Sequence, residues 1–211
     1  MIIAISTRVT EAQNYFEKRN SISFDIIEYV ERLGLTPLLV PNNLSNVSLF
    51  LEAFNVEGVM LTGGNNVDPK TYGSLELLSD VYVERDNTEK ALFEYALDSN
   101  IPVLAICRGF HFINTHLGGK LTHNILGHVN ENHKLVSEKL EYSNKEVNSF
   151  HKQGITVSQL SKELEPIALS EDDLVEAYEN KKNKILGFQW HPERDFNDFD
   201  SKLIKKHYSI K

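Results

Sequence analysis

The chain has 211 residues, with 22 Lys and Arg against 30 Asp and Glu and a formal net charge of −8. This length suits one domain with a sizeable core, and the acidic balance argues against a nucleic acid partner, which wants a basic face. A single cysteine, Cys107, excludes an intrachain disulfide, no apolar run is long enough for a membrane span, and the short apolar start before Arg8 lacks a signal-peptide layout, so a reducing, cytoplasmic setting is expected.

Residues 1–6 read as a buried strand. Tyr15, Phe16 and the charges around them look like a loop or lid without decodable chemistry. Residues 21–33 have helical spacing, with Ile22, Ile26, Val30 and Leu33 on one stripe and Gly34 as the stop. A strand over 36–40 ends at Pro41, a short helix covers 49–54, and a strand over 56–61 runs into Gly63-Gly64. Asp86-Asn87-Thr88-Glu89 has capping-box spacing and predicts a helix from there to about residue 99, with Leu92, Phe93, Ala96 and Leu97 inward. A strand over 102–106 and a helix directly after Cys107 follow, then loops and short strands over 121–150. Three strands near 167–169, 174–178 and 185–190 precede a last helix over 198–208, whose Lys202, Lys205 and Lys206 form a solvated face. Strand–helix alternation implies an α/β fold: an open, mostly parallel sheet with helices on both faces, as one domain over 1–211.

The segment Ile106-Cys107-Arg108-Gly109-Phe110 carries the most chemistry. An apolar strand ends in a cysteine, a glycine follows two residues on, and a helix begins, which is the layout of a nucleophile elbow. A helix N-terminus there favours thiolate over thiol. The alternative is a small buried hydrophobe. Gly187-Phe188-Gln189-Trp190-His191-Pro192-Glu193 delivers a histidine and then a carboxylate across a φ-restricting proline. Cys107, His191 and Glu193 would make a triad in which the carboxylate orients the base; taken alone, the segment reads more readily as a surface turn. Leu61-Thr62-Gly63-Gly64-Asn65 ends another strand, and the backbone N–H groups of Gly64 and Arg108 are candidate oxyanion donors. A plain strand-ending turn is the alternative.

Taken together, these segments resemble the class I glutamine amidotransferase superfamily, and more closely its stand-alone branch of γ-glutamyl-γ-aminobutyrate hydrolase type, peptidase family C26. Six motifs in order carry the resemblance: Met60-Leu61-Thr62-Gly63-Gly64 with Asp68-Pro69 and Tyr72; Glu84-Arg85-Asp86 with Glu89; Ile106-Cys107-Arg108-Gly109; Asn114 with Gly118-Gly119 and Leu121; Val147-Asn148-Ser149-Phe150-His151 with Gln153; and Gln189-Trp190-His191-Pro192-Glu193. The resemblance implies a flavodoxin- or Rossmann-like sheet and cleavage of a γ-glutamyl amide. It also implies Gly64 and Arg108 as oxyanion donors and a glutamyl-binding segment over 148–153. Gly63, His111, Asn148, Ser149 and His151 are the substrate-binding candidates. The family usually has glutamine where this chain has His111. The chain also looks like the γ-glutamyl-CDP-amidate hydrolases of bacterial capsule phosphoramidate pathways.

The expected reaction is a cysteine hydrolysis that releases glutamate through a thioester, with no metal or organic cofactor. Asp68, Arg85 and Arg108 are candidates to touch the leaving group, with solvated surface positions the commoner outcome. His116, His123, His128 and His133 match no tight metal-ligand spacing and read as ordinary polar loop positions. Two rivals stay open: a glutaminase subunit that hands ammonia to a synthase partner, and a non-catalytic binding protein on the same fold. The expected partner is a small-molecule γ-glutamyl amide, with neither nucleic acid nor membrane; a homodimer is the commonest assembly for such an enzyme.

Overall fold

A computed structural model describes residues 1–139 and 141–210; Leu140 and Lys211 lie outside the described residues. The chain opens with β1 (Ile2–Ser6), a two-stranded ribbon of β2 (Arg8–Glu11) and β3 (Lys18–Ser21), α1 (Phe24–Arg32), β4 (Thr36–Val40), α2 (Val47–Ala53) and β5 (Gly58–Leu61). It continues with α3 (Val83–Asp98), β6 (Val103–Ile106), α4 (Arg108–His116), β7 (Thr122–His123), β8 (Val129–Lys134), β9 (Glu146–Phe150) and β10 (Gln153–Gly154). The last elements are β11 (Glu165–Leu169), β12 (Val175–Asn180), β13 (Ile185–Phe188) and α5 (Asp198–His207).

Seven strands form the central sheet in the order β11-β12-β13-β6-β5-β1-β4. The five from β13 to β4 are mutually parallel, while β12 and β11 join antiparallel at one edge. The expected open, mostly parallel sheet is therefore present. Its strands are short and apolar on both faces, because side chains alternate between two layers of helix. Ile3, Ile5, Met60, Leu104, Ile106 and Phe188 pack on the side of α1 and α5 with Ile26, Val30, Leu203 and Ile204. Ala4, Val59, Leu61, Val103, Ala105 and Ile185 face α2, α3 and α4 through Leu51, Leu92, Phe93, Phe110 and Ile113.

Two expectations change. Helix α3 begins at Val83, before the Asp86–Glu89 motif, and its N-cap Tyr82 makes no side-chain capping bond. Asp86 and Glu89 are buried instead, because each accepts from an arginine inside the protein. Tyr15 and Phe16 do sit in an exposed loop, but that loop is the turn of the β2–β3 ribbon. Among the described residues no helix is long and apolar enough to cross a membrane.

Candidate active site

Cys107 links β6 to α4 at the carboxyl end of the parallel strands, where open α/β sheets place their sites. Its backbone adopts φ 50° and ψ −101°, a region that costs a non-glycine residue roughly 1–3 kcal/mol. Hydrogen bonds on both sides hold it there: its N–H donates to the Phe188 carbonyl at 2.9 Å, and its own carbonyl accepts from His111 N–H at 3.1 Å. The turn also needs Gly109, since a Cβ there would lie 2.4 Å from the Leu61 carbonyl oxygen.

His191 and Glu193 follow the end of β13, the strand beside β6. His191 Nδ1–H donates to Glu193 Oε1 at 2.6 Å, which leaves Nε2 for the thiol. Asn148, on β9, brackets the same residue: its Oδ1 accepts from His191 N–H at 2.9 Å and its Nδ2 donates to the His191 carbonyl at 2.8 Å. Burial alone would depress the imidazole. The Cys107 charge and hydrogen bond, and then Glu193, outweigh it and push His191 up to about 10. Burial likewise works to raise the thiol, and the positive His191 outweighs it, so Cys107 titrates below its ordinary value. A thiolate–imidazolium pair is the state these charges favour.

The glycine loop stands against this pair. A Cβ on Gly63 would lie 2.9 Å from His191 Cε1 and 3.6 Å from Cys107 Cβ. Behind the loop, fully buried Arg85 donates from Nη2 to the carbonyls of Thr62 at 2.8 Å and Gly63 at 3.0 Å, and from Nη1 to that of Gly64 at 2.9 Å. With trans peptides in this loop, the N–H groups of Gly63, Gly64 and Asn65 point away from the guanidinium. Arg85 Nε also pairs with Glu89 at 3.0 Å, and the Arg108 guanidinium bonds both Glu89 and Asp86. The side chains of Arg85 and Arg108 are thus internal struts rather than solvated surface. The Arg108 N–H, as the first of α4, has no intrahelical partner. Asp68 caps the short turn that follows it, accepting from Lys70 N–H.

A cavity of ≈ 320 Å³ opens over Cys107 and His191, and Gly63, Gly64, Arg108, His111 and His151 line it. His111 is buried, its Nε2–H donating to Gln189 Oε1 at 2.7 Å, and burial pushes it down to about 3, so it stays neutral. Asn148 and Ser149 do not line this cavity; their polar atoms go to the His191 backbone and the His128 carbonyl. Three further cationic residues line the cavity, Arg8, Lys152 and Arg194; of these only Lys152 falls within a segment that the resemblance ties to substrate, and none is singled out by its own chemistry. Arg8 Nε lies 3.1 Å from where a Cβ on Gly64 would stand, and Arg194 stacks its guanidinium 4.2 Å from the Phe150 ring centre. Each sits in a segment whose charge pattern alone reads as surface. Beside the cavity, His128, His133, His151 and Glu176 bring four potential metal-ligand atoms within 4.8 Å of one another.

Residues 1–193 match the family model described as Peptidase C26. The chain is similar to a gamma-glutamyl-CDP-amidate hydrolase of Campylobacter jejuni, at 28% identity over 100% of this chain and 98% of the relative. It is 32% identical to a gamma-glutamyl-gamma-aminobutyrate hydrolase of Escherichia coli O157:H7 over 79% of this chain and 76% of the relative. Its fold superposes on a glutamine amidotransferase from Thermotoga maritima with a TM-score of 0.60 at 16% identity, covering 97% of this chain and 84% of that one. An elbow cysteine, a carboxylate-backed histidine and a glycine loop in one cavity, with a family match across most of the length, place this chain in the Peptidase C26 family.

Proposed function

We propose that this protein is a cysteine hydrolase of γ-glutamyl amides. The observation that carries the reading is Cys107, held in a strained elbow, facing a histidine that Glu193 backs at 2.6 Å. The Cys107 thiolate attacks the γ-carbonyl carbon, and the N–H groups of Gly64 and Arg108 receive the oxyanion. His191, as imidazolium, protonates the leaving nitrogen as the C–N bond breaks, which leaves a glutamyl thioester and a neutral imidazole. Water then attacks the thioester, His191 takes its proton, and glutamate departs with the thiolate restored.

The glutamyl half of the substrate is supported by the names of the two similar hydrolases. The cationic rim of Arg8, Lys152 and Arg194 supports a leaving group that carries negative charge, as both an ω-amino acid and a nucleotide amidate do. The test is glutamate release by the purified chain alone from glutamine, γ-glutamyl-γ-aminobutyrate and a γ-glutamyl nucleotide amidate, with Cys107→Ala as control. The expected result is release from an anionic amide and loss in the control. Turnover of glutamine alone, or only with an added synthase, would overturn the reading in favour of an ammonia-supplying subunit.

A further inference from the structure

A second group of reactive side chains lies outside the proposed triad. His128 precedes β8, His133 lies within it, His151 follows β9, and Glu176 sits on β12 of the central sheet. Glu176 is wholly buried, and His128 and His151 are 2% and 4% exposed. The inward atoms of all four are without hydrogen-bond partners: His128 Nδ1, His133 Nε2, His151 Nε2 and both carboxylate oxygens of Glu176. Buried polar atoms are rarely left this way, and a carboxylate least of all. The separations explain the pattern. Glu176 Oε1 stands 3.6 Å from His151 Nε2 and 3.9 Å from His128 Nδ1, too far for a hydrogen bond. Four donors placed tetrahedrally at ordinary Zn–N and Zn–O lengths would stand roughly 3.3 Å apart, so these two gaps, in a set whose atoms all lie within 4.8 Å of one another, need only a small contraction to match ligands around an ion.

The outward nitrogens of two of the three histidines are occupied in the manner of metal-bound histidines. His128 Nε2 meets Asp172 Oδ2 at 2.9 Å, and His151 Nδ1 meets the Gln153 carbonyl at 2.8 Å. Each acceptor takes the proton on the far side of its ring and so turns a lone pair toward the cluster. We propose that His128, His133, His151 and Glu176 bind one divalent first-row transition metal ion in a closed, four-ligand site, with zinc the best match to three imidazoles and a carboxylate. The ion clips the β8–β9 ribbon to β12. The same ribbon carries Asn148, which brackets His191, and Phe150, whose ring is 5.9 Å from the His191 ring. The site is therefore structural, and it steadies the wall of the cavity without taking part in the chemistry.

The test is metal content of the purified full chain by elemental analysis, with Glu176→Gln, His133→Gln and Cys107→Ala beside it. His133 is only half-buried, so its variant tests the site if Glu176→Gln fails to fold. The expected result is about one metal ion per chain, zinc foremost. Occupancy should fall at least about tenfold in both ligand variants and stay unchanged in Cys107→Ala. Chelation should lower the thermal midpoint, and cobalt should restore it with a tetrahedral visible spectrum. The proposal is overturned if the chain neither retains nor takes up zinc or cobalt, if both ligand variants keep full occupancy, or if Cys107→Ala loses the metal.

Discussion

Replacing Arg85 with methionine keeps the length of a buried side chain and removes every donor. The carbonyls of Thr62, Gly63 and Gly64 then lose the guanidinium that serves them at 2.8, 3.0 and 2.9 Å. Gly64 is half-exposed and can turn to water, whereas Thr62 and Gly63 are buried. Two stranded buried acceptors at about 1–3 kcal/mol each give a loss of roughly 2–6 kcal/mol. Glu89 adds less, because Arg108 still pairs with it. For a chain of this size that is a drop of about 4–24 °C in the thermal midpoint. The loop that these bonds hold would also drift from Cys107, so kcat for glutamate release should fall by about 100-fold or more while KM moves little. Arg85→Lys keeps the charge and fewer donors, and should fall between the two. Thermal and denaturant melts and steady-state kinetics on the same preparations provide the check. Wild-type stability in Arg85→Met, or lost stability with an unchanged kcat, would refute the view that Arg85 sets the glycine loop.

Gly63→Ala adds a methyl 2.9 Å from His191 Cε1, so the ring must shift by about half an ångström; kcat should drop about 10–100-fold with little loss of stability, and an unchanged kcat would contradict the packing. Thiolate absorbance should persist at pH values below the usual thiol range, and kcat/KM should fall on the alkaline side near pH 10 as His191 loses its proton. In Cys107→Ala, burial still depresses His191 and the thiolate that raised it is gone, so an NMR titration should place the imidazole well below 10. His207 donates to the Val103 carbonyl at 3.0 Å, and burial pushes it down to about 4. The unfolded chain then takes up a proton that the folded one refuses as pH drops from about 6.5 to about 4, and roughly 2–3 kcal/mol of stability is lost across that window. His207→Gln should flatten this part of the stability curve; an unaltered slope would assign it to other groups.

The sheet and the elbow were legible because their signals are local. A run such as Val103-Leu104-Ala105-Ile106 alternates between two buried faces, and the Cys107–Gly109 turn follows it at once. The His191-Pro192-Glu193 segment is equally compact, and its hydrogen bond spans two residues. What could not be read depends on distance in the chain. The β2–β3 ribbon pairs short, charged segments such as Lys18-Arg19-Asn20-Ser21 that carry no apolar period. Asp86 and Glu89 imitate a helix start, and only the approach of Arg85 and Arg108 reveals them as buried ion-pair partners. His128, His133, His151 and Glu176 come from three separate stretches, so no ligand spacing exists to find. Asn148 could be placed near the glutamyl group by resemblance, but its bracket on the His191 backbone needs the fold.

The most direct test of the proposed chemistry is to trap its covalent intermediate. The purified chain is mixed with its best γ-glutamyl amide, quenched in acid within the first turnover, and mapped by mass spectrometry. The account predicts a glutamyl group on the peptide that contains Cys107, accumulating further in Glu193→Gln, where the base that activates water is poorly oriented. Glutamate release that leaves Cys107 unmodified, and that persists in Cys107→Ala, would contradict it.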